Sequence, residues 1–108
     1  MELSTLSKSV FRFGQAGHAI PAVGFGTYLL KGETGLVALK HAIKTGYRLL
    51  DTAHLYQNEE LVGQAVRESI AEGVVKREDM WITSKLASVW MDPAKIGKVV
   101  QVSLSRLF

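Results

Sequence analysis

The chain has 108 residues, of which 47% are hydrophobic and 21% charged, which is ordinary for one soluble globular domain and excludes a disordered chain. The formal charge of +3 comes from scattered basic residues, so neither a nucleic-acid-binding stripe nor a membrane-binding segment is predicted. The absence of cysteine excludes disulfides and thiolate chemistry. Because the first residues also show no signal-peptide pattern, a cytoplasmic location is expected.

The first predicted elements are a hairpin and a short strand. Apolar and polar residues alternate around a turn rich in glycine, which is typical of a β-hairpin, and a strand ending in small residues follows. The predicted boundaries are a strand at 10–13, a turn at 14–17, a returning strand at 19–22 and a third strand at 23–28.

Three helices are predicted further along, because apolar residues recur there every three or four positions. Gly46 and Gly73 mark the ends of the first two helices. Asn58 is predicted to cap the second helix, and Asp92 to cap the third ahead of Pro93. Leu36, Leu39 and Ile43 lie on one face of the first helix. The predicted buried face of the second helix is Leu61, Val62, Ala65, Val66, Ser69 and Ile70. The third helix is continued by Ile96, Val99, Val100, Ser103 and Leu107.

Apolar segments at 47–52 and 80–86 predict the strands that precede the second and third helices. A hairpin followed by three βα units predicts an α/β fold with a parallel sheet covered by helices. No linker divides the sequence, so residues 1–108 are expected to form one unit without a second domain. The hairpin is expected at about 10–22 and the βα units at about 23–108.

Polar residues follow the ends of all three predicted parallel strands, which meet at one edge of such a sheet. They are residues 26–28, Asp51 with Tyr56 five positions on, and Lys85. An ammonium favours the ionised form of a nearby phenol, so Tyr56 is a candidate general acid toward a carbonyl oxygen, with Lys85 and Asp51 behind it. From spacing alone, ordinary structure is the stronger interpretation: a loop-capping Asp, a packed Tyr and a Lys that reaches solvent.

Other candidate sites are weaker. The histidines, His18, His41 and His54, share no metal-ligand spacing, so no metal site is predicted and surface positions are expected. The sequence GFG at 24–26 lacks the third glycine of the dinucleotide-binding fingerprint and predicts close backbone packing instead.

The segment GYRLLDTAHLYQNEELVG at 46–63 resembles the signature of the aldo-keto reductase superfamily. It has the Gly-aromatic-Arg, an apolar pair, Asp-Thr-Ala, five residues, and then Glu and Val-Gly. The segments VFRFGQAGHAIP, IPAVGFGTY and NEELVGQAVRESIAEGVVKREDMWITSKL resemble the family's hairpin, its first strand, and its second helix with the third strand. The resemblance covers about residues 10–108.

This resemblance implies the N-terminal part of a TIM-type (β/α)8 barrel, with an N-terminal hairpin that closes the barrel floor and about three βα units. It implies reduction of aldehydes and ketones with NADPH, or less often NADH. By resemblance Tyr56 is the proton donor, Lys85 makes its hydroxyl more acidic, and Asp51 holds Lys85.

Further positions match family contacts with small molecules. Tyr28 stands where many members place an aromatic residue over the substrate. Many members have a pocket tryptophan where this chain has Ala87, and Trp90 follows three residues later, so the identity of the carbonyl substrate stays open. The positions that match contacts with the nicotinamide side of the cofactor are Gly26, Thr27 and Asp51.

A complete barrel needs ~250 residues, and by resemblance the catalytic histidine and the adenosine-phosphate segments would follow residue 108. Two hypotheses are open: the N-terminal part of an aldo-keto reductase, or a truncated, non-catalytic family fragment that acts as an interaction partner or has no function. The 108 residues alone are predicted to be inactive. The unpaired edge of the last strand predicts self-association, or a partner chain that completes the barrel.

Overall fold

The computed structural model describes residues 8–108; residues 1–7, which the predicted unit includes, lie outside the described residues. Short 3-10 turns at His54–Tyr56, Arg77–Asp79 and Ser88–Trp90 lie in the connections. No helix in the described range is long and apolar enough to cross a membrane. The strands and helices are β1 (Val10–Phe13), β2 (His18–Pro21), β3 (Phe25–Gly26), α1 (Gly32–Thr45), β4 (Leu49–Asp51), α2 (Glu59–Ala71), β5 (Trp81–Thr83) and α3 (Pro93–Leu107).

The three strands β3, β4 and β5 form a parallel sheet in that order, as the alternation of strands and helices predicted. Gly26 pairs with Asp51, and Asp51 pairs with Thr83. The last residue of each strand therefore lies at the same level, which brings the three following loops to one edge of the sheet. The strand predicted at 23–28 is shorter than expected, because only Phe25 and Gly26 pair with β4.

The core lies between one face of this sheet and the helices. Leu50 in the central strand is fully buried, as are Leu39 and Ile43 on α1 and Val62 on α2, which agrees with the helical spacing of the apolar residues. On α3, Val99 and Leu107 are buried, whereas Val100 is 38% exposed. α3 packs mainly on α2 and on the turn Ser88–Trp90, so its apolar stripe is only partly covered.

The hairpin lies at the opposite end of the sheet from the strand ends that bear polar residues. β1 and β2 pair antiparallel, and the ring of Phe13 contacts that of Trp81, the first residue of β5, with centroids 5.6 Å apart. The returning strand begins one residue earlier than predicted. Close packing in the GFG segment is found at Gly24, where a Cβ would lie 2.9 Å from the side chain of Leu49.

Candidate active site

Asp51, Tyr56 and Lys85 lie together at the C-terminal ends of β4 and β5. The Nζ atom of Lys85 donates to both carboxylate oxygens of Asp51, at 2.9 and 2.8 Å. It also lies 3.4 Å from the hydroxyl oxygen of Tyr56 and donates to the carbonyl of Thr52 at 3.1 Å. The ammonium of Lys85 is therefore directed at this cluster rather than extended into solvent.

Backbone pairing beyond the strands holds the cluster in place. The hydroxyl of Thr83, paired with Asp51 in the ladder, donates to the Asp51 carboxylate at 2.8 Å. The amide of His54 donates to the carbonyl of Lys85 at 3.1 Å, so the loop that contains Tyr56 is attached to the end of β5. The 3-10 turn His54–Tyr56 then ends at a residue in the left-handed conformation, which redirects the chain into α2.

The carboxylate of Asp51 and the ammonium of Lys85 stabilise each other's charged form. Burial raises the pKa of Asp51, but hydrogen bonds from Lys85 and Thr83 outweigh it and leave that pKa below its ordinary value of 3.8. The hydrogen bond to Asp51 raises the pKa of Lys85 above 10.5, against the opposing effect of burial. Both groups are charged at neutral pH, with side chains 40% and 51% exposed, so solvent screens their attraction.

The loop after β3 brings a second phenol to this edge. The ring of Tyr28 lies over that of Tyr56, with centroids 5.1 Å apart and planes inclined by 57°. Tyr28 is 65% exposed, so its outer face is open to a ligand. Beside it Gly26 is exposed, whereas Thr27 is fully buried and its hydroxyl donates to the carbonyl of Asp51 at 2.9 Å.

Asn58 was predicted to cap α2, and that prediction was wrong about its side chain. Asn58 occupies the N-cap position but makes no side-chain hydrogen bond to the helix. Its amide nitrogen donates to the carbonyls of Thr27 and Leu30, at 2.6 and 3.2 Å, and its amide oxygen accepts from the hydroxyl of Thr52 at 2.8 Å. The bond from Thr52 uses the amide oxygen that a cap would need, and nothing in the local sequence distinguishes the two arrangements.

A buried carboxylate beside the cluster was also missed. Glu59, in the first turn of α2, is 1% exposed. It accepts a hydrogen bond from Ser84 at 2.8 Å, and Arg106 of α3 lies 3.3 Å away. The buried Nδ1 of His54 lies 3.8 Å from Glu59 and has no hydrogen-bond partner among residues 8–108. The arginine that accompanies Glu59 is 47 positions away, so no local pattern indicates the pair.

The remaining candidates lie away from the cluster. His18 is in the hairpin against Phe13, and His41 is exposed on α1. Ala87 is buried, and Trp90 lies on an open groove of about 410 Å³ whose lining does not include Tyr56. Residues 8–108 contain no group of three side chains that could hold a metal ion.

Residues 22–108 match the aldo/keto reductase family model. The chain is 49% identical over 94 residues to prostaglandin F synthase 1 of Bos taurus, across 84% of this chain. It is 46% identical over 92 residues to NAD(P)H-dependent D-xylose reductase of Scheffersomyces stipitis, across 85% of this chain. The chain spans only 29% of the length of each of these relatives.

A solved structure agrees with these similarities. The chain resembles a Bombyx mori aldo-keto reductase in complex with NADP, with a TM-score of 0.81 and 36% identity, over 91% of this chain and 34% of that one. The hairpin and the three parallel βα units therefore correspond to part of a TIM-type barrel. With the fold, the element order and the sequence in agreement, the chain belongs to the aldo/keto reductase family.

Proposed function

We propose that this chain supplies the proton-transfer part of an NAD(P)H-dependent oxidoreductase that reduces aldehydes or ketones to alcohols. The observation that supports it most is the position of Lys85, whose Nζ reaches both the Asp51 carboxylate and the Tyr56 hydroxyl. A relative named as an NAD(P)H-dependent reductase and a similar structure with bound NADP support NADPH as the cofactor, with NADH as the alternative.

Gly26 and Asp51 would hold the nicotinamide end of the cofactor, whose chemistry here would be transfer of a hydride to the carbonyl carbon. The hydroxyl of Tyr56 donates its proton to the carbonyl oxygen as negative charge develops there. The ammonium of Lys85, 3.4 Å from that hydroxyl, stabilises the negative charge left on the phenol oxygen. Asp51 keeps Lys85 charged and oriented through two short hydrogen bonds.

The strand ends fit the nicotinamide end of such a cofactor. Gly26 is exposed, and a Cβ built there would have no atom within 4 Å, which leaves room for a planar ring beside Asp51. We therefore propose Gly26 and Asp51 as cofactor contacts. Thr27 has no exposed surface, so a contact by Thr27 requires movement of its turn. Tyr28 is the proposed aromatic wall of the substrate pocket.

We further propose that the 108 residues alone do not catalyse this reaction. Three strands form one wall of a barrel, and half of the Lys85 side chain is exposed, so water weakens its effect on Tyr56. Holding hydride donor and carbonyl in line is worth about 7–11 kcal/mol in well-oriented systems, which one wall does not supply. The unpaired edge of β5 is the proposed surface for self-association or for a partner chain. The cytoplasmic location of the protein stays a prediction.

The test is a chimera in which residues 22–108 replace the matching segment of prostaglandin F synthase 1. Oxidation of NADPH is followed with a panel of aldehydes and ketones for the chimera, for Tyr56→Phe and for Tyr47→Phe, whose ring packs on Phe25. We expect Tyr56→Phe to lower kcat by roughly 10²- to 10⁴-fold with cofactor affinity nearly unchanged, and Tyr47→Phe to stay near the parent. A Tyr56→Phe chimera with parental kcat contradicts the proposed role of Tyr56.

The isolated 108-residue chain is assayed in parallel. Its background control is the double variant Asp51→Asn, Tyr56→Phe. We expect both to be indistinguishable from buffer. Turnover in the parent chain that the double variant lacks would show that self-association rebuilds the site, and the proposal of inactivity would be wrong.

A further inference from the structure

The turn that presents Tyr28 has an unusual backbone. The amide of Leu30 donates to the carbonyl of Thr27 at 3.0 Å, which closes a four-residue turn, and Leu29 at its third position has a φ of 70°. Turns with this conformation strongly favour glycine there, because side chains crowd the backbone. Leu29 is 70% exposed, so burial of its own side chain does not hold the turn in place.

Asn58 binds both ends of this turn. Its amide nitrogen donates to the carbonyl of Thr27 at 2.6 Å and to that of Leu30 at 3.2 Å, the first and last residues of the turn. Its amide oxygen accepts from Thr52, the residue after β4, at 2.8 Å. Asn58 is 3% exposed, so these bonds do not compete with solvent.

The same side chain connects the two aromatic rings of the candidate site. Tyr28 lies between the two carbonyls that Asn58 binds, and Tyr56 lies two residues before Asn58 in the chain. Gln57 between them has a φ of 55°, which turns Tyr56 back toward the strand end. The amide of Asn58 therefore contributes to the separation of 5.1 Å between the ring centroids, together with the bonds that join Thr27 to Asp51 and His54 to Lys85.

We propose that Asn58 is a positioning residue that fixes Tyr28 over Tyr56, and so sets one wall of the pocket for the carbonyl substrate. The expected effect on substrate binding rests on the proposed function, whereas the placement of Tyr28 over Tyr56 does not. Loss of the amide releases the turn from the conformation that Leu29 disfavours, and Tyr28 moves away from Tyr56. Planar aromatic substrates, which the Tyr28 ring would contact, then lose more binding affinity than small aliphatic substrates do.

The geometric part is tested by nuclear magnetic resonance on the 108-residue chain. We expect cross-peaks between the ring protons of Tyr28 and Tyr56 in the parent and their loss in Asn58→Ala. Val66→Ala, which removes buried apolar volume on the same helix, is the control for a general loss of stability and should keep them. If Asn58→Ala does not fold, Asn58→Leu replaces it, since leucine fills a similar volume and lacks both donors.

A second substitution separates positioning from simple stabilisation. Glycine accepts the left-handed conformation without steric conflict, so Leu29→Gly in the Asn58 variant should restore part of the cross-peak intensity. The proposal is overturned if the cross-peaks are also lost in Val66→Ala. It is overturned as well if they persist in the variants that lack the amide donors of Asn58.

The functional part is measured in the chimera with 4-nitrobenzaldehyde and propanal. We expect Asn58→Ala to raise KM for 4-nitrobenzaldehyde roughly 2- to 10-fold, the range for loss of one aromatic contact, with kcat for propanal nearly unchanged. Equal changes for both aldehydes contradict the pocket role. An inactive parent chimera refutes the proposed function alone, because the cross-peaks report on Asn58 independently.

Discussion

Two carboxylate–cation pairs lie at the end of β5, and they differ in their access to solvent. Thr83 and Lys85 contact Asp51, whereas Ser84 between them contacts Glu59. The side chains of Asp51 and Lys85 are 40% and 51% exposed, but that of Glu59 is 0% exposed. An exposed pair adds little to stability, while a buried carboxylate must keep its partners. We infer that the first pair is available for chemistry and that the second maintains structure.

Lys85→Met in the chimera has the largest expected effect. Without the ammonium, negative charge on the Tyr56 oxygen loses its nearest positive neighbour, and kcat should fall by roughly 10²- to 10⁴-fold. The free energy of unfolding should fall by less than about 1 kcal/mol. Lys40→Met, which removes a surface ion pair with Glu72, is the control and should leave kcat unchanged. A stability loss in Lys85→Met as large as its catalytic loss would argue that the first pair is structural too.

Glu59→Gln should destabilise the fold more than Glu60→Gln does. The glutamine keeps the shape but loses charged hydrogen bonds to Arg106 and Ser84, and unfolding free energy should fall by about 2–3 kcal/mol. Glu60→Gln is the control, since Glu60 lies 4.0 Å from the same arginine but is 83% exposed. Its expected change is within about 0.5 kcal/mol. Urea denaturation followed by tryptophan fluorescence compares them, and equal losses would remove the distinction between buried and exposed partners.

Gly63→Ala tests how Arg106 reaches Glu59. A Cβ on Gly63 would overlap the backbone carbonyl of Arg106 and approach Leu107, so α3 must move away from α2. The expected loss is about 1–3 kcal/mol of unfolding free energy. Gly97→Ala, also in a helix but with no atom within 4 Å of its Cβ, should stabilise by about 0.5–1 kcal/mol. Thermal unfolding of both variants measures this, and a neutral Gly63→Ala would show that the two helices are loosely packed.

The smallest expected effect is the change that Asp51→Asn causes in the free energy of unfolding, which depends on pH. Because the folded pKa of Asp51 lies below its ordinary 3.8, its stabilisation is present above that pH and is lost as pH falls through the lowered value. The pKa of Lys85 is raised above 10.5, so its contribution is present below that pH and is lost as pH rises further.

The parent and Asp51→Asn should therefore differ by about 0.2–1 kcal/mol between about pH 5 and pH 9, with the difference vanishing in acid. Equilibrium unfolding at a series of pH values measures it. Glu72→Gln, which removes the surface ion pair with Lys40, provides the comparison. A parent-to-variant difference for Asp51 that grows below about pH 3 would contradict a lowered pKa for this carboxyl group.

Local sequence was enough for the features that depend on residues a few positions apart. Leu36, Leu39 and Ile43 recur at helical spacing and are buried, and Asp92 caps α3 through the amide of Ala94. The family signature also located Asp51 and Tyr56, and the resemblance of the segment that ends at residue 86 located Lys85; the roles of all three stay proposals. Asn58 was misjudged and Glu59 was missed, because these residue types commonly cap or flank helix starts, and most of their partners here lie 25 to 47 positions away.

The order of strands and helices and the polar residues at the strand ends follow from the amino-acid pattern alone, because hydrophobic periodicity and turn residues act over short distances. Which polar groups meet depends on how the strands pair and how the helices pack. Parallel pairing brings Thr83 and Lys85 to Asp51, and the packing of α3 on α2 brings Arg106 to Glu59. The exposure of each pair follows from that packing, since burial depends on neighbours that no local pattern specifies.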